Sequence, residues 1–178
     1  MKTLITLIGL AAVMSFTTSC DKHRGEGKMT VQMEDAPYDA EAVFVQVLEV
    51  QVHYEDEELG NDGWVTLDTE AGVYDLLELQ NGITAVLADN ESIPVGKVSQ
   101  MRLILGTENS IVIDGTSFGL LTSSQTNTGL KFNLNADIQN NENVNVLIDF
   151  DVDNSIVLQG TGSYLLKPVI KVESITYV

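Results

Sequence analysis

The chain is 178 residues long, carries 26 acidic against 9 basic side chains and has a formal net charge of −17. Acidity on this scale excludes nucleic acid and anionic lipid surfaces as partners, because like charge repels both. A single cysteine excludes a disulfide framework, so an apolar core must hold the fold by itself.

Residues 1–19 read as a lipoprotein signal peptide. Lys2 gives a positive start, Leu4 to Phe16 an apolar stretch, and Thr17-Thr18-Ser19 a run of small residues before Cys20. The apolar stretch is shorter than the ~20 residues of a membrane-spanning helix. A lone thiol at this junction resembles the lipid-attachment site of bacterial lipoproteins, which makes Cys20 the expected anchor. Plain secretion and a buried helix are the alternatives, and Thr17 stands where such sites usually carry Leu. Residues 20–28 are expected to be the lipidated Cys and a flexible tether, since Asp21 to Lys28 contains two glycines and no apolar side chain. Residues 29–178 then form one domain, with 24 acidic and 5 basic side chains.

From Met29 the pattern is that of strands. Val43 to Val52 is apolar on both faces, as in a central strand. Trp64 to Leu67 follows the turn Gly60-Asn61-Asp62-Gly63, and Val73 to Leu79 reads as one helical turn or a short strand. Lys97 to Leu105 is a further apolar run. Ser110 to Ile113 and Ser117 to Leu121 flank the turn Asp114-Gly115. Leu130, Phe132, Leu134, Ala136 and Ile138 alternate with polar residues, as do Val144, Val146, Ile148, Phe150 and Val152. Tyr164 to Tyr177 closes the chain. About eight or nine short strands with regular turns predict an all-β, two-sheet β-sandwich, Ig-like or transthyretin-like.

Several ordered segments resemble the Bacteroidota lipoprotein family termed domain-of-unknown-function family 4382. They are Asp35-Ala36-Pro37, Asp75-Leu76-Leu77 with Leu79 and Asn81-Gly82, Ile93-Pro94 with Gly96, and Arg102-Leu103. Gly129-Leu130-Lys131, Asp149-Phe150-Asp151 with Ser155, and Leu166-Lys167-Pro168-Val169-Ile170 continue the series. The resemblance implies an exported β-sandwich lipoprotein and brings no known activity. Surface-displayed lipoproteins of that phylum often carry an acidic run after the Cys; here Lys22 and His23 follow Asp21.

Asp149, Asp151 and Asp153 form the sharpest constellation. On one strand they would share a face, about 7 Å apart, and repel one another. A Ca²⁺ ion, a lysine (Lys131, Lys167 or Lys171) or water must offset this. Asp-x-Asp-x-Asp-Asn resembles the front half of a calcium loop without its glycine turn or distal Glu. Glu55, Asp56, Glu57 and Glu58 read as a solvated hairpin loop or a partner contact. His53 has no second His or Cys nearby to make a zinc set. Trp64 and Tyr54 could form a sugar-stacking platform, although the alternating pattern favours packing between sheets for Trp64. Ser123 to Thr128 is a polar loop suited to partner contacts. Neither a nucleophile elbow nor a phosphate loop occurs.

The expected function is therefore non-enzymatic: an outer-membrane, lipid-anchored envelope protein facing the periplasm or the cell surface. Its β-sandwich would bind an unknown protein or glycan, or support assembly, with no cofactor. A calcium-stabilised adhesion or structural module is the alternative, and an envelope hydrolase a third reading without a residue pattern behind it.

Overall fold

The computed structural model describes residues 25–56, 63–122 and 129–178. Cys20 and the leader lie outside them, as do Glu57, Glu58 and the loop Ser123 to Thr128. The described residues form thirteen strands: β1 (Glu26–Glu34), β2 (Ala42–Tyr54), β3 (Trp64–Thr66), β4 (Gly72–Asp75), β5 (Ala85–Pro94), β6 (Gly96–Leu105) and β7 (Ser110–Ile113). Then follow β8 (Thr116–Thr122), β9 (Leu130–Ile138), β10 (Asn143–Phe150), β11 (Ile156–Leu158), β12 (Tyr164–Leu166) and β13 (Ile170–Tyr177). Two single turns interrupt them, a 3-10 turn at Leu76–Glu78 and an α turn at Val152–Ser155. The segment Val73 to Leu79 is thus both things expected of it, strand first and helical turn second.

The strands make a four-stranded sheet, β13-β10-β1-β5, and a nine-stranded sheet, β11-β12-β8-β7-β2-β6-β9, with β3 and β4 also paired to β2. Both sheets are mixed: β1 runs parallel to β10, and β12 parallel to β8. Their inner faces pack as a two-sheet β-sandwich. Met29, Val31 and Met33 of β1 and Val144, Val146, Ile148 and Phe150 of β10 meet Val43, Val45, Val50 and Val52 of β2 and Met101 and Leu103 of β6. All of these have lost essentially all contact with water. Such burial is the main source of stability in a chain without a disulfide. Tyr54, fully buried, sends its hydroxyl to the Pro94 carbonyl at 2.6 Å and so ties β2 to the end of β5 across the core.

Two bulges explain why both faces of the long runs look apolar. In β2 the core-facing positions are Val43, Val45 and Val47, then Val50, Val52 and Tyr54. The phase changes where the register with β6 slips between Val47 and Glu49, the signature of an extra residue in one strand. In β6 the slip opposite β9 lies between Val98 and Gln100. The Asp114-Gly115 turn joins β7 to β8 with both residues at positive φ, 50° and 70°. That is the hairpin geometry glycine and aspartate favour.

Four differences from the sequence expectation follow. The sandwich domain begins at Glu26, so Glu26 to Lys28 are strand and not tether, pairing with Pro94, Ile93 and Ser92. Strand β5 carries no clear sequence signal: the register of β1 against it shifts twice, and Asn90 sits at a φ of 51°. Those irregularities erase the period-two pattern. The short edge strand β11 is likewise absent from the expectation. Tyr164 to Tyr177 splits into β12 and β13 around Lys167-Pro168, where proline has no N–H for a ladder.

Candidate functional site

Strand β10 ends at Phe150, which breaks the expected single-strand row of three carboxylates. Asp149 remains on the strand and is 4% exposed. Lys171, its cross-strand partner on β13, places Nζ 2.9 Å from Asp149 Oδ2. The Asp149 carboxylate raises the Lys171 ammonium above its ordinary value, by hydrogen bonding and by charge. Asp151 caps the next turn, its Oδ1 accepting from the Asn154 N–H at 3.1 Å. Asp153 is exposed within that turn. Among the described residues, no three His, Cys, Asp or Glu side chains gather closely enough to hold a metal ion.

Sequence reasoning misses the carboxylate that joins Asp149 from β1. Asp35 follows the last residue of that strand and is 5% exposed. Its Oδ1 accepts the Val152 N–H at 3.1 Å, while its buried Oδ2 has neither a hydrogen bond nor an ion pair among the described residues. Burial pushes its carboxyl up to about 7; the Val152 N–H opposes this, and the charges of Asp149 and Asp151 add to it. Its bond to Val152 pins the end of β1 to the Val152–Ser155 turn, and its chemistry is that of a buried acid.

Glu55 pairs with Lys97 at 2.7 Å, both well exposed, at the end of β2. Asp56 also has an interaction partner.

The outer face of the larger sheet carries a different arrangement. Across β3, β2, β6 and β9 the register aligns Trp64, His53, Gln100 and Asn133 in one row. The adjacent row is Thr66, Gln51, Arg102 and Lys131. Since Val50, Val52, Met101, Leu103 and Leu134 fill the core, the alternating partners must face outward. Trp64 is therefore on the outer face and not between the sheets, half-buried by its neighbours. Tyr54 lies in the core and does not share a platform with it.

The indole is held on several sides. The Arg102 guanidinium lies 4.1 Å from its ring centroid and the Lys131 ammonium 5.2 Å. The His53 ring meets its edge at 4.8 Å with planes inclined at 63°. His53 Nδ1 is 3.1 Å from Ser99 Oγ. Arg102 Nε donates to Gln51 Oε1, and Gln51 Nε2 donates to Glu49 Oε2 at 2.7 Å. A Cβ on Gly129, whose φ is 89°, would come within 3.0 Å of Arg102 Cδ, so glycine leaves room for the arginine stem. Among the described residues neither Arg102 nor Lys131 meets a carboxylate, although Lys97 and Lys171 both do. The sequence alone does not single out Arg102, Lys131, Gln51, Gln100 or Asn133 as a group. The polar positions of the alternating β9 run carry the signal, but the partners they meet depend on strand order.

The fold and this face define a β-sandwich bearing an outward aromatic–cation platform. The family described as a domain of unknown function (DUF4382) matches residues 26–168, and the chain belongs to it. No curated protein and no solved structure matches the chain.

Proposed function

We propose that the chain is a non-enzymatic, membrane-anchored envelope lipoprotein and that its sandwich is a binding module working through the outer face around Trp64. The single observation behind the binding reading is the placement of the chain's one tryptophan. It sits outside the core, under two cations that have no carboxylate partner among the described residues, in a chain with 26 acidic side chains. Tryptophan and arginine side chains held together on an outer face are the residue types enriched at binding hot spots. The leader pattern ending at Cys20 supports the anchor.

Two measurements test this reading. In cell fractionation, Cys20→Ala should move the chain from the membrane to the soluble fraction; retention in the membrane contradicts the anchor. The purified Cys20→Ala chain, which has no site for the lipid, should co-sediment with isolated cell-envelope material. Trp64→Ala combined with Arg102→Ala should weaken that binding about tenfold or more, the usual effect of losing an aromatic–arginine hot spot. Unchanged binding contradicts the assignment of the face.

A further inference from the structure

We propose that the Trp64 face binds a carboxylate-bearing sugar, a uronate unit within an otherwise neutral glycan. This deepens the reading above and rests on it. From Met29 onward 24 acidic residues face 5 basic ones, and two of those five, Arg102 and Lys131, converge over one indole. The eight aligned positions, Trp64, His53, Gln100 and Asn133 beside Thr66, Gln51, Arg102 and Lys131, contain no carboxylate. Glu49, at the margin, is engaged by the Gln51 amide.

A cationic spot inside an acidic envelope selects by charge density. Within the ~8 Å screening length an extended polyanion meets the surrounding carboxylates as well as the two cations, and is repelled by them. An isolated carboxylate feels mainly the two cations beside it. The Arg102 Nε–H is committed to Gln51, which leaves the Nη groups of its fork to take a carboxylate in bidentate fashion. Stacking on Trp64 and the Gln51 bond fix the fork in place before a ligand arrives, which lowers the ordering cost of binding.

The remaining side chains point to a hydroxylated partner. Gln100 and Asn133 carry amides and Thr66 a hydroxyl; each both donates and accepts, as sugar hydroxyls require. The part of the half-buried indole not covered by Arg102, Lys131 and His53 would supply the apolar edge for a sugar ring.

Trp64 is the only tryptophan, so its fluorescence reports this site alone. The full chain in detergent would be titrated with a uronate–hexose disaccharide, with the same disaccharide reduced to the neutral sugar, and with a short acidic peptide. The expected result is a saturable change with the uronate only. The double variant Arg102→Gln, Lys131→Gln should bind about tenfold or more weakly while its melting temperature falls by only about 2–4 °C, since charged hydrogen bonds to the ligand are lost and the fold is kept. Equal affinity in that variant, an equal response to the neutral sugar, or no response to millimolar uronate overturns the proposal. A response confined to the acidic peptide also overturns it. If uronate fails while envelope co-sedimentation still depends on Trp64, the ligand class is wrong and the face stands. If co-sedimentation is also independent of Trp64, the face is wrong as well.

Discussion

At the scale of single residues, Asp35 and Trp64 show what an environment does to a side chain. Asp35 is buried with one oxygen unsatisfied, and its carboxyl titrates at about 7 against an ordinary 3.8. The folded chain therefore holds a proton there that the unfolded chain has already released. Stability from this group is complete below about pH 4 and is lost as pH rises through about 7. The upper limit is on the order of 4 kcal/mol, since each tenfold change in proton affinity is worth about 1.36 kcal/mol. Asp35→Asn stays neutral throughout and keeps the oxygen that accepts from Val152. Urea melts at about pH 5 and about pH 8 should show this variant gaining on the native chain by about 1–4 kcal/mol at the higher pH. A gap that does not change with pH would contradict the buried-acid account. Trp64 reads in the sequence as a packing residue because it opens an apolar segment, and nothing local distinguishes an inward from an outward ring. Its placement comes from the register of β3 against β2, with His53 opposite Trp64.

Elements explain how much of this is legible in the sequence. Strands with clean alternation, such as β9 and β10, are readable because one face is buried and the other wet. The β7–β8 hairpin is readable from Asp114-Gly115. Strand β5 is not, since its bulged pairing with β1 destroys the period. The outer-face platform is invisible for a further reason: Arg102 and Lys131 are 29 positions apart and meet only because β6 pairs with β9. Lys171 is one of three lysines the sequence offers to Asp149, and strand adjacency selects it. Alternation on β6 also gives a test that separates packing from recognition. Leu103→Ala should cost about 2–5 kcal/mol, as a buried leucine does. Its neighbour Arg102→Ala should cost no more than about 1 kcal/mol, the worth of a partly exposed cation–π contact. Chemical denaturation of both variants checks this, and comparable losses would make the platform a structural brace.

For the molecule as a whole, the two sheets divide the work. The four-stranded sheet and the turn after β10 house the buried acids, and the larger sheet presents the platform. The dispersal of Asp149, Asp151 and Asp153 over a strand, a cap and an exposed turn predicts that millimolar Ca²⁺ leaves the melting temperature unchanged. A ligand that binds only the folded chain must raise it, so a clear rise would favour the calcium-stabilised module. The surrounding acidity disfavours polyanions over the whole surface, and the proposed binding surface is the Trp64 face. That face is the central claim, and amide and indole N–H resonances test it most directly. The full chain, isotope-labelled, would be titrated with solubilised envelope glycan while the single indole N–H and the amides of β2, β3, β6 and β9 are followed. The indole resonance and those around Gln51, Gln100, Arg102 and Lys131 should shift together with one affinity. Shifts confined to β13, β10, β1 and β5, with the indole unmoved, would contradict it.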